Sequence, residues 1–217
     1  LLFVFSLERL DLSDTYIDHG PLPGESFEGL NELQTLDLSG NIFSSTIPEQ
    51  MWERNLGSLR VLFLDRVGLP SSQDLMFLTT LTSLVQLWLD FSSSFLLEKT
   101  IPSELGQLQY LVGISMGSAG LEGIIPTELG NLPLTRLWLH ENNLSGTVPT
   151  QLGQLESLRF LSLQGNPRLE GSIPLEICQR RVPQGSLEWL GSDCQVDGNL
   201  VCACCTCCGV RCGKLDG

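Results

Sequence analysis

A phrase of the form L-x-x-L-x-L returns seven times along this 217-residue chain, and that recurrence excludes most folds before any other property is considered. Its first leucines are Leu7, Leu33, Leu59, Leu84, Leu111, Leu134 and Leu158, spaced 23 to 27 residues apart. The second and third anchors follow at constant offsets: Leu10/Leu12, Leu36/Leu38, Leu62/Leu64, Leu87/Leu89, Ile114/Met116, Leu137/Leu139 and Leu161/Leu163. Two apolar residues with one residue between them suit a short strand that buries alternate side chains. One such strand cannot bury its inner face alone. Stacked coils set the strands side by side as a parallel sheet, and the leucines fill one continuous core. The expected architecture is therefore an α/β-type solenoid, a horseshoe of about seven repeats with the parallel sheet on its concave face.

A second phrase marks the return segments. Thr46-Ile47-Pro48, Thr100-Ile101-Pro102, Ile124-Ile125-Pro126, Thr147-Val148-Pro149 and Ser172-Ile173-Pro174 share one place in the repeat, and Asn143-Leu144-Ser145-Gly146 and Gln151-Leu152-Gly153-Gln154-Leu155 surround the fourth. Proline fixes φ and donates no backbone hydrogen bond, and glycine lets the chain turn. Together these motifs resemble the plant-type extracellular leucine-rich-repeat (LRR) family of receptor-kinase ectodomains, receptor-like proteins and polygalacturonase-inhibiting proteins. The resemblance spans roughly residues 5 to 178. It implies a leucine-rich-repeat horseshoe, a recognition role without enzymatic activity or cofactor, and an extracellular or cell-surface location.

The family's asparagine position holds Asn41, Asn142 and Asn166 but Thr15, Val67, Ser92 and Ala119 in the other coils. The resemblance implies that this asparagine bonds the backbone of the neighbouring coil, so the coils with Val67 and Ala119 are expected to be less regular. The third repeat reads Pro70-Ser71-Ser72-Gln73-Asp74 in place of Ile-Pro, and Phe91-Ser92-Ser93-Ser94-Phe95 is expected to protrude. No paired-cysteine N-terminal cap is present, and the apolar opening Leu1–Phe5 has no Met or cleavage-like site. The chain is expected to begin inside a longer protein.

Charge narrows the partners. The formal net charge is −13 with only 12 Lys and Arg, which disfavours nucleic acid and anionic membranes because both are polyanions. No run of 18 uncharged apolar residues offers a membrane span.

All eight cysteines lie at or beyond Cys178, so the expected division is a solenoid over 1–178 and a cysteine-rich C-terminal cap and tail over 179–217. Ser186 is placed to cap a short helix whose Leu187 and Leu190 cover the last coil. The family resemblance implies a cap disulfide between Cys178 and Cys194. Six more cysteines follow: Cys202, Cys204, Cys205, Cys207, Cys208 and Cys212. The run resembles the tail of diatom-type LRR proteins. Its residues leave three readings open: a disulfide knot, a thiolate metal cluster, or lipid attachment beside a membrane.

Catalytic signatures are absent: there is no phosphate loop, no H-E-x-x-H and no nucleophile elbow, and His19 and His140 fall on distant coils. The concave strands carry the candidate ligand-binding residues Phe63, Asp65, Trp88, Asp90, Ser115, Arg136, Trp138, His140 and Phe160. Asp11, Asp37, Asp65 and Asp90 put acid on the N-terminal half. Clustered aromatics on an exposed sheet face usually mark contacts. Trp88 and Trp138 lie two strands apart across Gly113, Ser115 and Gly117. Either they flank an open slot about 10 Å wide, or they fold down and fill it. Asn143-Leu144-Ser145 forms a glycosylation sequon at Asn143. The expected function is recognition of a protein, peptide or glycan on the concave face. The alternatives are inhibition of a secreted glycan-degrading enzyme, and a structural wall or adhesion role.

Overall fold

A computed structural model of the chain describes residues 6–15, 27–43, 56–68, 74–91, 99–193 and 200–208, with the side chains of 207 and 208 excepted. All seven L-x-x-L-x-L phrases become three-residue strands: β1 (Arg9–Asp11), β2 (Thr35–Asp37), β3 (Val61–Phe63), β4 (Gln86–Trp88), β6 (Gly113–Ser115), β8 (Arg136–Trp138) and β10 (Phe160–Ser162). They pair in parallel and without slippage, so that Leu36, Leu62, Leu87, Ile114, Leu137 and Leu161 lie level with one another. From the second coil onward the leucine anchors are almost wholly buried; Leu7, Leu10 and Leu12 of the first are only partly so.

The sheet continues past the seven repeats. β12 (Trp189–Ser192) and β14 (Cys207–Cys208) extend it to nine strands among the described residues. Residues 186–190 are thus not a helix. Ser186 uses its hydroxyl to bond the carbonyls of Glu156 and Leu158 in the preceding coil, at 2.5 and 2.9 Å, and does not cap a helix of its own. Leu187 and Leu190 are nevertheless fully buried and close the core as expected.

Among the described residues the return segments make a second parallel sheet of five strands: β5 (Lys99–Thr100), β7 (Leu121–Gly123), β9 (Asn143–Thr147), β11 (Arg168–Ser172) and β13 (Leu200–Val201). After it, Pro102, Pro126 and Pro149 sit extended at the entry to the 3-10 turns Ser103–Gln107, Thr127–Asn131 and Thr150–Gln154. Pro174 enters the helical turn Leu175–Cys178 in the same way. Gly106, Gly130 and Gly153 in these turns are required by crowding: an added Cβ at each would collide with Glu128, Gln151 and Glu176 of the following coil. The Leu-Gly phrase therefore sets how closely the convex turns stack.

The asparagine ladder is present. Asn142 Nδ2 donates to the carbonyls of Met116 (2.7 Å) and Leu139 (3.0 Å), and its Oδ1 accepts from the amides of Ala119 (3.1 Å) and Leu121 (3.0 Å). Asn41 and Asn166 bond the preceding coils through Leu12 and Leu139. The coils lacking asparagine are more regular than expected. Val67 and Ala119 are buried in the core, and their strands keep full register. The residue before this position takes a left-handed φ in every coil: Asp14, Gly40, Arg66, Phe91, Ser118, Glu141 and Gly165. A shared backbone turn holds the coil even where the side-chain ladder lapses.

The expected Cys178–Cys194 pairing is corrected. Cys178 bonds Cys204, with Cα atoms 5.6 Å apart, and Cys202 bonds Cys205. Cys194 and Cys212 lie outside the described residues, as do His19, Thr46–Pro48, Pro70–Gln73 and Ser92–Phe95. These bonds bear out the disulfide reading for Cys202, Cys204 and Cys205, and leave those three sulfurs unavailable to a thiolate cluster.

Candidate functional site

Period-two alternation sends the residues between the leucines to the concave surface, and the unslipped register lines them up in columns. In the middle column Phe63 lies level with Trp88, Trp88 with Ser115, and Ser115 with Trp138. Phe63 and Trp88 stack with ring centroids 6.1 Å apart and planes 22° apart. Trp88 and Trp138 meet edge to face at 5.8 Å. The indoles are long enough to reach one another across the small fifth strand, so the open slot between them is not formed. Edge-to-face contact of this kind adds stability beyond burial alone.

Arg136 joins this cluster. Its guanidinium carbon lies 5.7 Å from the Trp88 ring centroid and 5.9 Å from that of Trp138, within cation–π range of both. Phe160 stands one strand on, under the guanidinium of Arg159, which in turn pairs with Glu188. The structure adds Trp189, level with Phe160 on β12. Reading residues 186–190 as helix hid it, although Trp189-Leu190 repeats the strand alternation.

Ser115 does not offer its hydroxyl to the surface. It is 3% exposed and donates to the Asp90 carboxylate at 2.6 and 2.7 Å. Asp90 also accepts the amide of Gly117 at 2.5 Å, and Asp65 accepts the amide of Asp90 at 2.7 Å. His140 folds over Gly117 so closely that a methyl group there would overlap the imidazole. Ser115, Asp90, Gly117 and His140 therefore form one packed unit beside the indoles. Trp88 Nε1, Trp138 Nε1 and His140 Nδ1 are buried within it and have no hydrogen-bond partner among the described residues.

The aspartates of the acidic half differ with their surroundings. Asp11 is exposed, and the hydroxyl and amide of Ser13 hold its carboxyl below the usual range. Burial pushes Asp65 up to about 6, with further contributions from the neighbouring Asp90 and Asp37 carboxylates, against the amide bond from Asp90. Burial also raises Asp90, against its bonds from Ser115 and Gly117. Asp65 sets a testable pH dependence. An acid whose folded value lies above its unfolded one stabilises the fold fully below about 3.8, and that contribution is lost as pH rises through about 6. The full displacement corresponds to about 3 kcal/mol, and the solvent still reaching Asp65 reduces this to about 1–2 kcal/mol. Asp65→Asn keeps the acceptor for the Asp90 amide and removes the charge. It should stabilise the protein by that amount at pH 7.5 and have almost no effect at pH 4, read from denaturant melts at both. A destabilised variant at pH 7.5 would contradict this account.

Asn143 begins β9 and is half-buried, while Ser145 donates its hydroxyl to the carbonyl of Gly123 at 3.1 Å. Among the described residues no group of His, Cys, Asp and Glu is arranged to hold a metal ion, and no helix is long and apolar enough to cross a membrane.

The coil geometry coincides with a known repeat: the leucine-rich repeat family matches at residues 32–53 and 133–155. The chain is a leucine-rich-repeat solenoid. No curated protein matches it in sequence. Among solved structures, this LRR chain is similar to the plant peptide hormone receptor RGFR1 in complex with RGF2, at 26% identity and a TM-score of 0.64, over 90% of this chain and 29% of that one. It is similar to the Arabidopsis receptor kinase HAESA ectodomain in complex with an IDA peptide hormone ligand (26%, TM-score 0.64, 85% and 29%). An LRR protein of the bacterium Leptospira interrogans matches at 27% identity and a TM-score of 0.60, over 90% of this chain and 50% of that one. The chain thus spans about a quarter to a half of the length of these relatives.

Proposed function

We propose that this chain is a plant-type extracellular recognition module that binds a protein or peptide partner on its concave face and carries no catalytic activity of its own. The observation that bears most weight is the Phe63–Trp88–Trp138–Arg136 cluster at the middle of that face. An LRR strand needs only its leucines to fold, so four large outward side chains in mutual contact are surplus to the core. Aromatic residues and arginine are also the side chains in which binding energy concentrates. Two of the similar structures carry peptide hormones, in receptors built on the same solenoid. In this reading residues 1–178 present the surface and residues 179–217 close the core behind it.

The test is a photo-activated cross-linking residue placed at Phe63 on the concave face or at Gln107 on the convex turn, with the protein exposed to extracellular fluid from its source. Cross-links should form to a protein or peptide from Phe63 and not from Gln107. Trp88→Ala and Trp138→Ala should each weaken binding of the captured partner by at least about 1 kcal/mol, about fivefold. Capture from the convex position alone, or unchanged affinity in both variants, would refute the assignment.

A further inference from the structure

The cluster that marks the concave face also carries a cation with no anionic partner among the described residues. Among the described residues Arg66 pairs with Asp14 and Arg159 with Glu188, yet Arg136, on a chain of net charge −13, has no carboxylate within ion-pair distance. It is held by the faces of two indoles, whose ring quadrupoles favour a cation and keep the guanidinium plane from wandering. A guanidinium fixed in this way keeps its forked donors for a planar acceptor, the geometry of a bidentate carboxylate contact. Three further nitrogens in the same unit, Trp88 Nε1, Trp138 Nε1 and His140 Nδ1, are buried without hydrogen-bond partners among the described residues. The indole nitrogens are donors only, and His140 Nδ1 is one when protonated. A carboxylate, with about four lone-pair sites, matches that fork.

We propose that Arg136, with Trp88 and Trp138, anchors one side-chain carboxylate of an extended partner segment, and that the aspartates to its N-terminal side select a basic residue on that same segment. This rests on the concave-face reading above and adds the partner's charge pattern to it. Asp90 and Asp65 follow strands two and three places from the strand of Arg136, four residues further along, and Asp37 ends the strand four places away, two residues further along. Counting about 4.8 Å per strand across the sheet and about 3.3 Å per residue along it, these lie roughly 16, 19 and 20 Å away. An extended segment crossing the strands obliquely advances about 3.3 Å per residue, so the cation falls about five to six residues from the carboxylate. A basic group there also relieves the mutual repulsion of carboxylates on neighbouring coils, which a uniformly acidic partner would worsen. Trp88 and Trp138 flank the guanidinium, so seating the carboxylate changes the surroundings of both rings.

The probe is a set of synthetic twelve-residue Ser/Thr/Tyr peptides, each with one Glu and one Lys separated by one, five or ten positions. A benzophenone at the peptide centre maps where each lies. Binding is followed by titration and by tryptophan emission. The five-position peptide should cross-link to the concave strands, bind at least tenfold more tightly than the other two, and shift the emission. Arg136→Gln should reduce that preference below about twofold, and Arg136→Lys should restore only part of it, because an ammonium lacks the fork. Arg136→Glu should move the preference to a peptide with Lys at both positions. Circular dichroism melts confirm that each variant is folded. Concave cross-links with equal affinity at every spacing would overturn this inference and leave the concave-face reading intact. Cross-links confined to the convex turns would overturn both.

Discussion

Asn142→Ala should destabilise the protein by about 3–5 kcal/mol, although the side chain touches no surface that a partner could see. Asn142 is 7% exposed and links two coils at once. Its amide nitrogen donates to Met116 and Leu139, and its oxygen accepts the amides of Ala119 and Leu121. Truncation leaves two buried N–H groups and two carbonyls without that partner, and each orphaned buried group costs about 1–3 kcal/mol. Ala119 makes the fifth coil depend on it, because that coil has no polar side chain of its own at the ladder position. The loss should also be local, since each coil of a solenoid contacts only its neighbours. Hydrogen exchange at the Ala119 and Leu121 amides should accelerate far more than at Leu62 or Leu64, two coils further towards the N-terminus. Asn142→Asp should recover the two accepted bonds but not the donated ones, and so fall between wild type and alanine. A uniform acceleration across all coils, or a loss below about 1 kcal/mol, would show that the shared left-handed turn alone holds these coils together.

The contrast between Asn142 and Val67 shows which parts of the fold can be read from residues. A fixed offset between leucines determines strand, register and facing, because the side-chain period of a strand is two and one slip would expose every leucine. All seven strands and their concave columns follow from that one rule. Regularity at Val67 and Ala119 does not follow, because the turn that supplies it is a backbone conformation adopted by Asp14, Arg66, Phe91, Ser118 and Glu141 alike. No residue type marks it. The candidate site is legible to the same depth. The strand pattern gives the positions of Phe63, Trp88, Arg136 and Trp138, and even the spacing of about 10 Å between the tryptophan backbones. What the rings do across that gap depends on their length and on His140 filling the space above Gly117. Position in the sequence does not contain that information. Ser115 fails as a surface group for a related reason: a small residue beside a carboxylate one coil earlier is drawn into a buried bond.

Removing the Cys178–Cys204 disulfide, by Cys178→Ser with Cys204→Ser, should destabilise the C-terminal closure by about 2–4 kcal/mol. Cys178 and Cys204 are 26 residues apart, which is one repeat length, and in a solenoid that spacing sets two residues alongside one another on successive coils. Cys194 is 16 residues from Cys178 and breaks that rule, so counting the repeat through the tail would have found the true partner. Loop-closure entropy for about 26 residues amounts to roughly 3.5 kcal/mol, whereas the three-residue separation of Cys202 and Cys205 gives only about 1.6 kcal/mol. The bond also holds an edge. Residues 200–208 add β13 to the second sheet and β14 to the concave one, and Thr206 bonds Leu190 in both directions. Without the link these strands are tied only by short ladders, and the buried Leu187 and Leu190 lose their cover. Cys178→Ser with Cys204→Ser should therefore expose apolar surface, bind more anilinonaphthalene sulfonate and melt earlier at its C-terminal end. Cys202→Ser with Cys205→Ser should lose less than half as much. Peptide mapping of the unreduced protein decides the pairing itself: a linked peptide joining Cys178 to Cys204 is expected, and one joining Cys178 to Cys194 would reinstate the alternative cap.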